Sequence, residues 1–237
     1  MTSRDPSELK KIVAEKAVEL FVKDGMTVGL GTGTTADHAI RKVGELISAG
    51  YNLTCVATSS RTELLAAEIG VKITSLSDVD HIDVTIDGAD EVDPDLQLIK
   101  GLGGALLREK IVAAATVSEV IIVDDSKLVS KLGTRSPLPV EVVPFGHTKT
   151  AYALERQGCK ATLRTADGRP FVTDGGNYVY DCSFSSIESP FFLESRIDVI
   201  PGVVENGLFL NTAAVVLVSH PDGTLTKLEK GREPEQI

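Results

Sequence analysis

Between Asp87 and Lys110 the chain gathers residue types that can move a proton. Asp87-Gly88-Ala89-Asp90-Glu91-Val92-Asp93-Pro94 is followed, after a short run to Ile99, by Lys100-Gly101-Leu102-Gly103-Gly104-Ala105-Leu106-Leu107-Arg108-Glu109-Lys110. Proton abstraction beside a carbonyl needs a positioned carboxylate and a group that stabilises the enediolate oxygen. Glu109 is the candidate base. Lys100, a compact ammonium with three donors, is the candidate electrophile. A glutamate with a neighbouring electrophile solves the same problem in triose isomerisation. Taken singly, each residue has a plainer explanation: Glu109 as an acid well placed in the first turns of a helix, Lys100 as a solvated lysine, Asp87 to Asp90 as an Asx-turn and helix cap. Taken as a set, they point to proton transfer next to a carbonyl on an anionic substrate.

Such a set needs elements to hold it. Ile82, Val84 and Ile86 alternate as in a strand, and the strand stops at the turn dipeptide Asp87-Gly88. Carboxylates at the carboxyl end of a strand in an open α/β sheet lie where such sheets bind ligands. The glycines after Lys100 precede a helix, an arrangement that lets backbone N–H groups approach an anion. A second loop of this kind follows the strand Met26–Leu30: Gly31-Thr32-Gly33-Thr34-Thr35-Ala36, with a helix predicted to about Leu46. It satisfies G-x-G-x-x-A, one form of the dinucleotide fingerprint, which also wants an acid at the end of the next strand. That strand, Leu53–Ala57, ends in Thr58-Ser59-Ser60-Arg61. Hydroxyls in both loops suit a small phosphate ester, and they leave NADP open. Gly31 and Gly33 making only a tight turn is the bland alternative.

The remaining pattern divides in two. An amphipathic helix is predicted over 5–24, a helix over Glu63–Ile69, a short strand near Val71–Thr74 and a buried strand Val120–Val123 that ends in Asp124-Asp125-Ser126-Lys127. Lys127 is a candidate second anion contact. Alternating strands and helices predict a Rossmann-like α/β fold, a mostly parallel sheet with helices on both faces. From Gly133 the reading is strand (140–143), helix (148–157), strand (161–164), turn at Asp167-Gly168, strand (177–182), helix (190–200) and strand (203–209). That is β-α-β-β-α-β, a smaller ferredoxin-like α+β domain. Ala213–Ser219 returns as a strand to the first sheet, and the polar end from Glu229 to Ile237 reads as frayed. The expected domains are 1–133 with 208–237, and 134–207.

Composition narrows the function classes. Of 237 residues 42% are hydrophobic, enough for a proper core, and 24 basic residues face 34 acidic ones for a net charge of −10. No basic run favours nucleic acid or an anionic membrane. Cys55, Cys159 and Cys182 are odd in number and form no CxxC pair, so neither a disulfide framework nor a zinc site is indicated. The acidic run Asp83, Asp87, Asp90, Glu91, Asp93, Asp95 raises the question of a divalent cation. It has no histidine beside it except His81 at the far end of the strand, and it fails the EF-hand spacing. No metal is expected. None of the four histidines sits with a nucleophile motif, and G-x-S-x-G is absent. Met1 to Lys11 carries no apolar h-region and no apolar run reaches membrane length, so a cytoplasmic protein is expected.

Gly-Thr-Gly-Thr-Thr (31–35), Asp-Gly-Ala-Asp-Glu (87–91), the Lys100–Lys110 run and Asp-Ser-Lys (125–127) resemble, in order, the motifs of the ribose-5-phosphate isomerase A family. Pro-Leu-Pro-Val-Glu-Val (137–142) and Ile-Pro-Gly-Val-Val (200–204) resemble its second domain, and the likeness runs from about Leu9 to Leu228. The resemblance implies interconversion of ribose 5-phosphate and ribulose 5-phosphate without metal or cofactor. It implies Glu109 as the base between C2 and C1, and Asp87 and Asp90 in ring opening and hydroxyl binding. Lys100 with the N–H groups of Gly101, Leu102 and Gly103 would stabilise the enediolate. Substrate would be held by Thr32, Gly33, Thr34, Thr35, Gly88, Ala89 and Lys127. The family often has a further glycine where this chain has Leu102, so that side chain is expected to point away from the sugar. Homodimers or homotetramers are implied as well. An NADP-dependent oxidoreductase, a non-catalytic sugar-phosphate sensor, and an amino-sugar phosphate deaminase or acyl-CoA transferase on a related scaffold are the alternatives.

Overall fold

The computed structural model describes residues 5–237; the first four residues of the Met1–Lys11 stretch lie outside the described residues. In chain order the elements are α1 (Pro6–Phe21), β1 (Thr27–Leu30), α2 (Ala36–Ser48), β2 (Thr54–Ala57), α3 (Ser60–Glu68), β3 (Ile82–Asp87), β4 (Glu91–Val92), β5 (Leu98–Ile99), α4 (Leu106–Ala114) and β6 (Thr116–Asp124). Then come β7 (Leu138–Val142), α5 (His147–Glu155), β8 (Lys160–Leu163), β9 (Thr165–Ala166), β10 (Arg169–Pro170), β11 (Tyr178–Ser183) and α6 (Pro190–Ile197). The chain closes with β12 (Val203–Asn206), β13 (Leu208–Phe209), β14 (Ala213–Ser219), β15 (Leu225–Leu228) and β16 (Glu235–Gln236). The fold is α/β, and it divides into two compact units. The first is made of residues up to Ala89, Arg108–Lys127 and Asn211–Ile237; the second is Asp90–Leu107 with Leu128–Leu210.

The first unit holds one seven-stranded sheet in the order β16-β15-β14-β6-β3-β1-β2. The strands from β2 to β14 are parallel, and β15 and β16 are antiparallel additions at one edge. Fully buried strands read as continuous apolar runs, and Val120 to Val123 of β6 are all 2% exposed or less. α1 opens on Pro6 with the Asp5 carboxylate accepting the Ser7 N–H at 2.8 Å, the cap and first-turn proline that the sequence signals. Its Val13, Ala17 and Val18 pack with Ile40 and Val43 of α2 over Val28, Leu30, Val84 and Ile86. A smaller apolar cluster joins Val112 of α4 to Val56 and Ile82. The strand order reverses at β1: β2 lies on one side of it and β3 on the other. Ligands of open α/β sheets bind outside the carboxyl ends of strands at such a reversal.

The second unit carries a four-stranded antiparallel sheet, β12-β7-β11-β8, with α5 and α6. This is the ferredoxin-like order, with the β9–β10 hairpin inserted after β8. Its core joins Leu138, Val140 and Val142 to Leu154, Tyr180, Leu193 and Ile197. Beside it β13-β5-β4 form a small antiparallel sheet that the sequence reading lacked. Two-residue strands are too short for alternation to show. Several local expectations differ from the structure. The strand expected over 203–209 is split at Gly207 into β12 and β13, and the helix expected over 190–200 ends at Ile197. α1 ends at Phe21. Val71–Thr74 forms no strand and makes only a Cys55–Ile73 bridge. The end is not frayed: β16 pairs with β15, and the Ile237 N–H reaches the Leu225 carbonyl at 3.0 Å. Among the described residues no helix is long and apolar enough to cross a membrane.

Candidate active site

In the first unit the chemistry gathers at the carboxyl edge of the sheet. The Gly31 N–H donates to the Ile86 carbonyl at 3.0 Å, so the first loop leaves β1 clamped against β3. The Asp87 carboxylate closes the end of β3: its Oδ1 accepts the Thr32 N–H at 2.9 Å and the Gly88 N–H at 2.7 Å. A Cβ at Gly31 would lie 2.2 Å from that oxygen, so only glycine lets the loop approach. Asp87 is 1% exposed. Gly33 has φ +118°, a backbone conformation open to glycine. Thr34 is exposed, and its Oγ1 accepts from Lys10 Nζ at 2.9 Å. Thr35 stands at the N-cap of α2 without a side-chain cap bond. Lys127 lies just past the carboxyl end of β6 and is half-buried. Gly88 and Ala89, half-buried, carry the chain out of the first unit. Glu109 sits in the first turn of α4 and is 5% exposed.

The threonine loop is fixed from below. Thr32 Oγ1 lies 2.8 Å from Thr58 Oγ1, 2.7 Å from Ser59 Oγ and 3.2 Å from Thr62 Oγ1. Thr58 Oγ1 donates to the Leu30 carbonyl at 2.9 Å and Thr62 Oγ1 to the Gly31 carbonyl at 2.8 Å. Thr58 and Ser59 hydroxyls are therefore committed to holding the first loop, which corrects their sequence-based reading as phosphate contacts. Buried hydroxyls need partners, and a closed network of them rigidifies what it joins.

In the second unit, Asp90 to Gly104 form the other half of the candidate set. Lys100 is 2% exposed, so the solvated-lysine explanation fails. Its N–H donates to the Gly207 carbonyl at 2.9 Å, and its Nζ lies 5.3 Å from the centroid of the Phe209 ring. Gly101 to Gly104 form a turn closed by the Gly104 N–H on the Gly101 carbonyl at 2.9 Å. Gly101 has φ +104°. The Asp90 Oδ2 accepts the Leu102 N–H at 3.0 Å. Leu102 exposes 40% of its surface, and Gly103 is exposed beside it. The other acids of the run have structural work. Asp83 accepts the Thr27 N–H at 2.7 Å, and Asp93 accepts the N–H groups of Asp95 and Gln97. Glu91, fully buried, accepts those of Gly133, Arg135 and Ser136. Among the described residues no group of three or more His, Cys, Asp or Glu side chains is arranged to hold a metal ion.

The family described as ribose 5-phosphate isomerase A (phosphoriboisomerase A) matches residues 54–223. The ribose-5-phosphate isomerase A of Parvibaculum lavamentivorans is 50% identical over 91% of this chain and 95% of its own. That of Gloeobacter violaceus is 52% identical over 91% and 94%. The chain belongs to the ribose-5-phosphate isomerase A family. Solved isomerase structures agree: that of Plasmodium falciparum superposes with a TM-score of 0.92 at 40% identity, covering 95% of this chain and all of its own. A D-ribose-5-phosphate isomerase in complex with phospho-erythronic acid gives 0.92 at 41%, with the same coverage. The family is one of enzymes, and the sensor, NADP, deaminase and acyl-transferase alternatives are set aside on that finding.

Two sets of residues around the candidate site escaped the sequence reading. Lys10 lies on the apolar-striped α1, where a lysine on the polar face looks like any other; only the fold brings it to Thr34. The buried role of Thr58, Ser59 and Thr62 had a signal in the Thr-Ser-Ser run at the end of β2, but not the direction in which those hydroxyls point.

Proposed function

We propose that this chain interconverts D-ribose 5-phosphate and D-ribulose 5-phosphate through an enediolate, in the non-oxidative branch of the pentose phosphate pathway, with no metal or cofactor. The observation that carries the reading is the burial of ionisable groups within one stretch: Asp87, Lys100 and Glu109 are 1%, 2% and 5% exposed. Charged side chains are rarely kept from water without a partner or a task, and such groups concentrate at functional sites. Asp87 and Asp90 assist opening of the furanose and hold hydroxyls, with Gly88 and Ala89 beside them. Glu109 removes the proton from C2 of the open aldose. The electron pair moves to the oxygen on C1, where the Lys100 ammonium and the N–H groups of the Gly101–Gly103 turn favour the developing charge. Glu109 returns the proton to C1 while a proton moves from O2 to O1, leaving the carbonyl at C2.

The phosphate end is assigned to the Thr32–Thr35 loop, with Gly33 allowing close approach and the N-terminus of α2 favouring negative charge. Lys10 and Lys127 supply cations in a chain of net charge −10. Leu102 contributes its backbone, with its side chain turned from the sugar. A cytoplasmic setting is consistent with three free thiols; burial pushes that of Cys55 up to about 11, which keeps it inert. A homodimer or homotetramer is proposed. Phe145, Phe192 and Val199 of the second unit are 95%, 66% and 75% exposed, apolar side chains that a second copy would cover. Sedimentation equilibrium at the mass of one chain would refute it.

Proton NMR of ribose 5-phosphate with the protein in D2O and EDTA tests the reaction. Ribulose 5-phosphate should appear with deuterium entering at C1 or C2. Sugar that binds without converting would defeat the isomerase reading, and conversion abolished by EDTA would bring a metal into the mechanism.

A further inference from the structure

The turn that carries the enediolate donors contains Gly101, Gly103 and Gly104. Glycine is the most conformationally free residue, so such a turn does not hold its own N–H groups in one direction. A side chain from the ferredoxin-like sheet grips it. Arg164 follows β8, and its N–H is fixed to the Val179 carbonyl of β11 at 2.8 Å. Its Nη1 donates to the carbonyls of both Gly101 and Leu102, each at 3.0 Å. Its other edge forks onto the Asp181 carboxylate, Nε at 3.0 Å and Nη2 at 2.5 Å. The guanidinium lies 5.7 Å from the centroid of the Phe171 ring. That ring fills the space beside Gly104, where a Cβ would meet it at 2.4 Å.

In a trans peptide the carbonyl and the next N–H point in opposite directions. With the Gly101 and Leu102 carbonyls both turned to the guanidinium, the N–H groups of Leu102 and Gly103 must face away from it. The first is found there, on Asp90 Oδ2. Hydrogen bonds to a charged donor are also stronger than neutral ones and polarise the peptide they engage, which makes those two N–H groups better donors. We propose that Arg164, held by Asp181, is a positioning residue for isomerisation: it sets the direction and strength of two backbone donors, the Leu102 N–H that holds Asp90 and the Gly103 N–H that receives the enediolate oxygen. The inference rests on the reading of the Lys100–Gly103 turn as the enediolate-stabilising site. It gives the ferredoxin-like sheet of the second unit a part in catalysis. A lysine cannot replace the fork, because one ammonium cannot hold two carbonyls and a bidentate carboxylate in a plane.

The test compares Arg164→Met, Arg164→Ala, Arg164→Lys and Asp181→Asn with the wild-type protein. It reads kcat for ribose 5-phosphate and the inhibition constants of two ligands. 4-Phosphoerythronate presents a planar carboxylate where the enediolate forms; ribitol 5-phosphate presents only alcohols. Arg164→Met should lower kcat by about 10²-fold, the cost of an ångström-scale misplacement. It should weaken 4-phosphoerythronate by a similar factor and ribitol 5-phosphate by less than threefold. Arg164→Lys and Asp181→Asn should fall between it and wild type, and added guanidinium ion should restore part of the rate to Arg164→Ala. A kcat within twofold of wild type in Arg164→Met, or equal weakening of both ligands, overturns the inference. A wild-type protein that does not isomerise at all defeats the isomerase reading instead.

Discussion

At the scale of single residues, the site is a problem of keeping ionisable groups out of water without losing their chemistry. Glu109 is the test case. Glu109→Gln keeps shape and removes the base, so turnover should drop by about 10²–10⁴-fold or more, while the denaturation midpoint and the affinity for ribitol 5-phosphate stay near wild type. A variant that turns over at the wild-type rate would remove Glu109 from its role. The types and order of these residues were legible in the sequence because chemistry restricts them: proton transfer admits few side chains, and turns at positive φ admit glycine. Their partners were not. Glu91 stands inside the Asp-Gly-Ala-Asp-Glu motif and looks like one more acid of the set. The fold spends it on three backbone N–H groups more than 40 residues away in sequence. Arg164 has no motif around it, and nothing in its neighbours announces that it grips a turn some 60 residues earlier.

At the scale of elements, the legible parts were those with a period. The parallel strands announce themselves as apolar runs and the helices by stripe and cap, so the strand-loop-helix of 27–48 and the β-α-β-β-α-β unit follow from pattern. The short strands β4 and β5 carry no period and were missed, and β13 was read as the end of one strand over 203–209. They matter because β4 holds Glu91 and β5 leads into Lys100. Segment 133–136 has no regular structure and is tied down by the Glu91 carboxylate. Glu91→Gln puts an NH2 group where an acceptor stood, and buried donors without an acceptor cost about 1–3 kcal/mol. Urea denaturation should show a loss of that size with an unchanged m value. Unaltered stability would mean that the 133–136 segment is held by something else.

At the scale of the whole molecule, the first unit is built from three separated stretches of chain, the last of them Asn211–Ile237. The polar composition of 229–237 reads as a loose end, and the structure uses it as an edge: β16 covers β15, and Ile237 packs against the main core. Composition misleads here because an edge strand needs backbone pairing on one side and little apolar surface. Deleting 234–237 should cost about 1–2 kcal/mol in denaturant from lost pairing and lost Ile237 burial, with kcat at low temperature unchanged. A deletion variant as stable as the full chain would show that the edge adds nothing.

The position of β14 has a consequence for how the protein is made. This strand is third from last in the chain; in space it sits inside the sheet, with β6 on one side and β15 on the other. Every residue of the second unit precedes it in the chain. During synthesis the ferredoxin-like unit can therefore finish while the parallel sheet still waits, its β6 flank of Val120, Ile121, Ile122 and Val123 without the neighbour that will cover it. An open apolar strand edge is a template for pairing with the wrong chain. The nascent protein is thus most vulnerable in the interval between emergence of Val123 and emergence of Ser219, and slowing translation across that interval should increase aggregation more than slowing it anywhere earlier.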